Sequence, residues 1–306
     1  MTAATGGLAT SRDVLSKETP FGHLLHDFLA SRLAVAGLVV FAIVALVAML
    51  APWLAPQNPY DLTALDLLDG RLPPGAHSPS GLTYWLGTDD QGRDMLSAIV
   101  YGLRTSLGVG LASGLLALAI GTSLGLLAAQ SGRWVERLIM RAVDLQLAFP
   151  PILVALILLA LLGQGIGKII AALVTVQWAY YARTVRASAL VEGGKDYIRA
   201  AQGLGLSRIR IMLHHLLPNC LPPLLVVAAV QVAHAIALEA TLSFLGLGLP
   251  ITQPSLGLLI ANGFAYILSG KYWISFFPGV ALLVTIVSIN LMGDRLRDIM
   301  NPRLRT

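Results

Sequence analysis

Long stretches without a single Asp, Glu, Lys or Arg divide the chain: Leu33 to Tyr60, Thr105 to Gly132, Leu145 to Gly167, Ile211 to Leu238 and Tyr272 to Gly293. At about 1.5 Å of rise per helical residue, each can cross a hydrocarbon core ~30 Å thick. A sixth stretch, Ile169 to Ala182, is shorter. It reaches spanning length if Arg183 sits at a helix end and extends to the headgroups. Thr241 to Gly270 is also uncharged but carries Gly246, Gly248, Pro250, Pro254, Gly257 and Gly263. That punctuation predicts an irregular loop, with at most one interfacial or re-entrant helix, outside the count of spans. The pattern therefore predicts an all-α polytopic membrane protein with six transmembrane helices.

Composition agrees. Apolar residues make up 56% of the 306 and charged ones only 12%, about half the charge of an ordinary soluble domain. The single cysteine, Cys220, excludes an internal disulfide framework and any cysteine metal cluster. Net charge of +5 raises nucleic acid as a partner, but its distribution answers otherwise. With six spans, sixteen of the 21 Lys and Arg fall on one side: in the N-terminal tail, around Arg133, Arg137 and Arg141, between Arg183 and Arg210, and in the C-terminal tail. The other side holds Arg71, Arg93, Arg104, Lys168 and Lys271, with six aspartates between Asp61 and Asp94. Basic residues collect in cytoplasmic loops, so both termini are expected inside. The polar tail before the first span is too long, and the apolar run too extended, for a cleavable signal peptide, so it is expected to stay as an anchor.

The expected organisation is a cytoplasmic tail (1–32), a first transmembrane helix (33–55) and an extracytoplasmic loop with a short helix (56–104). A five-helix core (105–293) then encloses a large cytoplasmic loop (183–218), and a cytoplasmic tail (294–306) follows. In the outer loop, Leu86-Gly87-Thr88-Asp89-Asp90-Gln91 reads as a helix start. Thr88 would accept from the third amide, Gln91 would reach back, and Asp89 would meet the positive helix end, with Arg93 just inside. Gly110 and Gly114, then Gly121 and Gly125, at four-residue spacing, predict a face that packs closely on another helix.

Polar groups inside spans are the natural functional candidates in a bilayer. Asp144 lies at the cytoplasmic end of the third span, where pairing with Arg141 or a helix end accounts for it. His234 and Glu239 lie in the fifth, about 140° apart on a helix, which rules out a shared metal or acid/base site. Hydrogen bonding to Ser or Thr, or to a partner subunit, is expected for Glu239. His214 and His215 point apart, and His23 and His26 fit a solvated face, so no metal site is expected. The one glycine-rich approach to a nucleotide loop, Gly163 to Ile169, lacks the first glycine of the spacing and the magnesium-binding hydroxyl. A secondary transporter would need more ion-coordinating groups at mid-membrane, and a membrane enzyme would need a matched dyad. Energy must therefore come from another polypeptide.

The fourth loop is the largest cytoplasmic connection. Ala200 and Ala201 give a short helix a thin face that another protein can approach, Gly205 permits a sharp turn, Ser207 can cap a second helix, and Pro218, Pro222 and Pro223 mark the start of the fifth span. Ala200, Ala201, Gly205, Leu217 and Pro218 resemble the Glu-Ala-Ala, Gly, Leu-Pro signature of permease subunits of binding-protein-dependent ABC importers. Arg199 stands where that family has Glu, and His215 where it has Ile. The segments Leu86 to Asp89, Gly92 to Asp94, Ala148 to Pro150, Glu239 to Gly248, Phe277 to Gly279 and Gly293 to Arg303 resemble its dipeptide/oligopeptide/nickel branch.

That resemblance implies the type I ABC importer permease fold in a bacterial cytoplasmic membrane. Its partners would be a second homologous permease, two ATP-binding cassette subunits or domains and an extracytoplasmic solute-binding protein. ATP and magnesium would be bound by the partners and no cofactor by this chain. Tyr197 to Pro218 would be the coupling loop. Cargo in such a family ranges over di- and oligopeptides, nickel chelates and other small solutes.

Overall fold

The computed structural model describes residues 26–61, 65–78 and 81–300. Arg12 and Lys17 of the N-terminal tail, Arg303 and Arg305 of the C-terminal tail, and His23 lie outside them. The regular structure of the described residues is helical apart from an isolated bridge between Thr88 and Asp94 and one small hairpin, in which β1 (Ala76–His77) pairs antiparallel with β2 (Thr83–Tyr84), Ala76 opposite Tyr84.

Helix α1 (Arg32–Met49) starts at Ser31, whose side chain accepts from the Ala34 amide. It gives way to a single turn, α2 (Ala51–Leu54), with Pro52 in its first turn, so the first apolar stretch is helical for less of its length than its lack of charge allows. The longest helix, α3 (Met95–Gln130), begins ten residues before the expected boundary at Thr105. After it come α4 (Arg133–Ala148) and α5 (Pro151–Leu162), which meet at 93°. Phe149 is extended before Pro150, and two consecutive prolines forbid a continuous helix there. The third apolar stretch is therefore not one straight span from Leu145.

Helix α6 (Ile166–Gly193) runs well past Arg183. Arg183 is not its end because α4 supplies carboxylates beside it: Arg183 pairs with Asp144, and Arg186 with Glu136. A short α7 (Asp196–Gly203) and a single turn α8 (Arg208–Ile211) form a helical hairpin. A π-turn (Met212–Leu216) joins it to α9 (Leu217–Phe244). The glycine-rich 241–270 segment contains α10 (Leu256–Phe264), nine residues capped by Ser255. At about 14 Å it is too short to span. It packs tightly instead: a β-carbon on Gly257 would lie 2.2 Å from the Ala240 carbonyl, and one on Gly263 would lie 2.4 Å from the Ser275 nitrogen. Finally α11 (Trp273–Met300) continues beyond Gly293, and Arg295 donates to the Asp27 carbonyl.

Helices α1, α3, the continuous α8–α9 segment and α11 are long and apolar enough to cross a membrane, and the bent pair α4–α5 makes a fifth candidate. Helix α6 has the length but carries Lys168, Gln177, Arg183 and Arg186. Its polar middle is covered by protein: Gln177 is fully buried and donates to the Gln231 carbonyl of α9 at 3.0 Å. Helix α3 occupies the centre, touching α1, α4, α6, α9, α10 and α11. Its glycines set the distances and face two helices rather than one. A β-carbon on Gly110 would meet Ile236 of α9 at 2.5 Å, and one on Gly121 would meet the Trp178 carbonyl of α6 at 2.4 Å. Small residues at such crossings let backbones approach and gain dispersion contacts that lipid cannot offer.

Substituting Gly121→Val should force α3 and α6 apart and cost about 1 to 3 kcal/mol, as overpacking does. Gly108→Ala, with no atom within 4 Å of the added carbon, should be silent. Thermal unfolding of the detergent-purified chain checks the pair, and equal melting temperatures would refute the close-packing account.

Candidate functional site

At one end of the bundle the α7–α8 hairpin projects from α6. Ile198 and Ala201, three residues apart, face inward and pack with Ile211, Leu216 and Cys220. Ala200 is exposed, but Ala201 is buried. The pair therefore does not form one approachable face: Ala201 is small because α7 must lie close on its own chain. The helix ends in a Schellman arrangement, with the Gly205 amide donating to the Gln202 carbonyl and the Leu206 amide to the Ala201 carbonyl. This requires a left-handed residue at Gly205, whose φ is +75°. Ser207 then caps α8, accepting from the Arg210 amide at 3.3 Å.

The tip this turn presents is apolar: Leu204 is 81% and Ile209 66% exposed. Arg199 is exposed and loosely paired with Asp196 at 3.9 Å. Tyr197 closes the base, donating from its hydroxyl to Glu192 at 3.0 Å and accepting from Asn219 at 3.2 Å. Lys195 holds the other Glu192 oxygen at 2.7 Å. Partial burial, then the bond to Glu192, raises the Tyr197 pKa. Leu217 begins α9, and its amide reaches back to the Met212 carbonyl. The π-turn absorbs Pro218, which has no amide to donate, and Asn219 satisfies the His215 carbonyl at 2.7 Å through its side chain.

The opposite end is polar and closed. Thr88 is not a helix cap: its hydroxyl donates to the Asp69 carbonyl at 2.5 Å and accepts from the Leu72 amide at 2.7 Å. No helix starts at Gln91, whose amide donates to Asp89 Oδ1 at 2.9 Å. The cap is Asp94, which accepts from the Ser97 amide at 2.8 Å and opens α3. Asp89 and Arg93 form a fully buried pair at 2.6 Å, and the Asp89 carboxylate also accepts from the Arg93 amide. The Arg93 guanidinium donates onward to the Ile251 carbonyl at 3.1 Å. Gly92 is pinned by space as well as by its φ of +78°, since a β-carbon there would stand 2.1 Å from the Asp66 carbonyl. Nearby, Ser78 and Tyr84 both donate to Asp69 Oδ2, at 2.6 and 2.8 Å. Burial, followed by the bond to Asp69, pushes the Tyr84 pKa up to about 12. Burial, and Asp89 beside it, raise the Asp90 carboxyl as well.

The polar residues of the helices are not gathered into one site. Asp144 is exposed on α4 and pairs with Arg183, not Arg141. His234 is exposed, whereas Glu239 is fully buried, accepting from Ser106 at 2.8 Å and Ser243 at 2.7 Å. The buried Gln177 and Gln231 went unnoticed in the sequence because uncharged amides do not interrupt a charge-free stretch. The signal that could have found them is that no other Gln lies between Lys168 and Phe244 apart from Gln202 of the hairpin.

Arg93→Ala should cost about 3 to 5 kcal/mol by leaving Asp89 buried without its partner. The loss should appear as a lower melting temperature and faster proteolysis of residues 65–94. An unchanged melting temperature would contradict a buried pair.

Comparison with known proteins bears on both ends. Residues 121–306 match the family model for the binding-protein-dependent transport system inner membrane component. Residues 19–74 match the N-terminal TM domain of oligopeptide transport permease C. The chain is 41% identical over 288 residues to the dipeptide transport system permease protein DppC of Escherichia coli (strain K12), covering 94% of each chain. It is 36% identical over 288 residues to the protein of the same name from Haemophilus influenzae, covering 94% of this chain and 96% of that one. Among solved structures, an inward-facing conformation of the MetNI methionine ABC transporter shares the fold. The TM-score is 0.55 at 21% identity, over 67% of this chain and 97% of that one. The chain belongs to the family of binding-protein-dependent transport system inner membrane components, as a multi-pass membrane permease.

Proposed function

We propose that this chain forms half of the translocation pathway of an ATP-driven importer of di- or oligopeptides and couples to ATPase subunits through the α7–α8 hairpin. The relatives named as dipeptide permeases, alike along nearly the whole chain, support the cargo class. The observation that carries the coupling role is the hairpin tip. Leu204 and Ile209 are held out by a rigid Schellman turn at the end of the bundle where the arginines cluster. Exposed apolar side chains on a fixed turn mark a protein contact.

The segment from Gly163 to Ile169, which lacks the pattern of a nucleotide loop, is the turn Gly163 to Gly165 between α5 and α6 followed by the first residues of α6. Hydrolysis is therefore assigned to partners that bind ATP and magnesium. Among the described residues no cluster of His, Cys, Asp or Glu is arranged to hold a metal ion, and no catalytic role is assigned to this chain. The further partners are a second homologous permease and an extracytoplasmic solute-binding protein.

The proposed topology has six membrane-crossing segments, with α6 as the sixth and both termini cytoplasmic. Helix α6 can cross although its middle is polar because α3 and α9 cover it, and the Gln177 side-chain amide donates to the Gln231 carbonyl there. The 56–94 loop then faces outward and the hairpin inward.

Two experiments test these readings. An impermeant thiol reagent should label Leu68→Cys from outside, and Arg199→Cys only after the membrane is opened. External labelling of Arg199→Cys would overturn the orientation. For coupling, Leu204→Glu combined with Ile209→Glu changes only exposed side chains. The chain should insert normally yet lose co-purifying ATPase and peptide-stimulated ATP hydrolysis by tenfold or more, on the order of 1.4 kcal/mol or greater. Full ATP-driven uptake by the double variant would show that the hairpin is not the coupling element.

A further inference from the structure

Helix α4 is not explained by transport or by coupling to an ATPase. Its inward edge is settled: Val143 is fully buried against Ala179 and Ala182 of α6. Ion pairs from Glu136 to Arg186 and from Asp144 to Arg183 fasten the helix near the hairpin end of α6. The remaining surface divides by chemistry. At about 100° per residue, Arg133, Arg137 and Arg141 fall within a sector about 80° wide, with Asp144 between them and turned to Arg183. All three are exposed, and no carboxylate of the described residues pairs with them. Beside them Trp134, Leu138 and Leu145 form an apolar strip, 78, 68 and 59% exposed. Around the helix the order is protein, arginines, apolar strip.

The 93° bend to α5 turns this order into a position. If the apolar α5 follows the membrane normal, with the extended Phe149–Pro150 and Gly163–Gly165 flanks completing its crossing, α4 lies in the membrane plane at the same end as the hairpin. With its buried edge toward α6, the apolar strip points outward and down to acyl chains, and the arginines point outward and up to headgroups. An amphipathic helix of this composition, with Trp and Leu below and Arg above, fits a lipid interface. The three arginines follow one another at four-residue steps, a repulsive arrangement that Asp144, committed to Arg183, offsets only in part and that a further anion would relieve.

We propose that α4 is an interfacial helix that binds anionic phospholipid headgroups through Arg133, Arg137 and Arg141, with Trp134, Leu138 and Leu145 in the acyl boundary. The lipid holds α4 on its outer side as Val143 and the ion pair of Glu136 with Arg186 hold it on the inner side, and so holds α6, which carries the hairpin.

The test uses the full chain purified with its co-expressed partner subunits, and it reads lipid rather than uptake, so it stands apart from the fate of the coupling proposal. Native mass spectrometry after exchange into mixed phosphatidylglycerol and phosphatidylcholine should show selective retention of phosphatidylglycerol. Replacing the three arginines by Gln should abolish the selectivity, with about a fivefold loss per arginine, whereas replacing them by Lys should preserve it. Should the triple Gln variant not accumulate, Arg137→Gln alone carries the same test with about a fivefold loss. A spin label on Leu138→Cys in vesicles should collide with oxygen more than with a water-soluble nickel reagent. Equal phosphatidylglycerol retention by the Gln variants overturns the proposal. So does free access of nickel to the label. A label shielded from both reagents also overturns it, because it would place a protein surface there.

Discussion

A β-carbon on Gly121 would stand 2.4 Å from a carbonyl of α6, and one on Gly125 would stand 2.6 Å from the next turn's. Only glycine allows the two backbones to come that close, and α6 depends on the approach. It is the one long helix whose composition does not by itself favour lipid, with Lys168, Gln177, Arg183 and Arg186 along its length. Seated against α3, with Gln177 bonded to α9, it exchanges lipid for protein contacts over most of one face. The remaining features hang from α6: the hairpin continues from its end, α4 is fastened to its arginines, and α5 leads into its start.

The two ends of the bundle solve opposite problems. At the 56–94 end, chain segments far apart in sequence converge on a few buried polar groups. Arg93 reaches Ile251, Trp273 donates to the Thr88 carbonyl, and Gln57 accepts from the Asp94 amide while its own amide donates to Ser97. A buried ion pair carries a desolvation cost and so contributes little net stability, but breaking its geometry is costly, which fixes one arrangement. That end is locked. The hairpin end exposes Leu204 and Ile209 instead. Its order comes from local turn chemistry at the tip and from packing of Ile198 and Ala201 on α6 and α9 at the base, which leaves its outer surface free.

How far the chain could be read depended on whether local chemistry alone decides. Lack of charge located α1, α3, α9 and α11, because lipid imposes that pattern on any helix it surrounds. It underestimated α6 because Arg183 looks like an end until Asp144 is known to sit beside it. It overextended the third stretch across Phe149 and Pro150, although the two prolines were in view. Thr88 with Gln91 and Asp94 with Ser97 are both acceptable helix starts in sequence. Tertiary bonds from Leu72 and to Asp69 claim the threonine, leaving Asp94 to cap α3. Gly205 and Ser207 were legible because a Schellman turn and a cap are local. Ala201 was legible too, had its three-residue spacing from Ile198 been weighed. The family motifs identified the relatives but could not say which small residue faces inward.

The inward placement of Ala201 has a mechanical consequence. Ile198 and Ala201 share one apolar cluster with Tyr181, Val185 and Ala189 of α6 and with Cys220 and Leu224 of α9. A load applied at Leu204 therefore cannot bend α7 alone, since close-packed side chains transmit displacement rather than absorb it. It reaches α6 and α9 together. Within the same cluster the entry to α9 departs from regular helix, where the π-turn at Met212–Leu216 is followed by Pro218, Pro222 and Pro223. Each proline removes an intrahelical bond, and the π-turn has already exchanged its regular bonds for longer-range ones. Helix α6 has no such break between Ile166 and Gly193. A force applied at the hairpin would therefore reach an unbroken α6 and, in α9, the segment that carries the π-turn and the prolines.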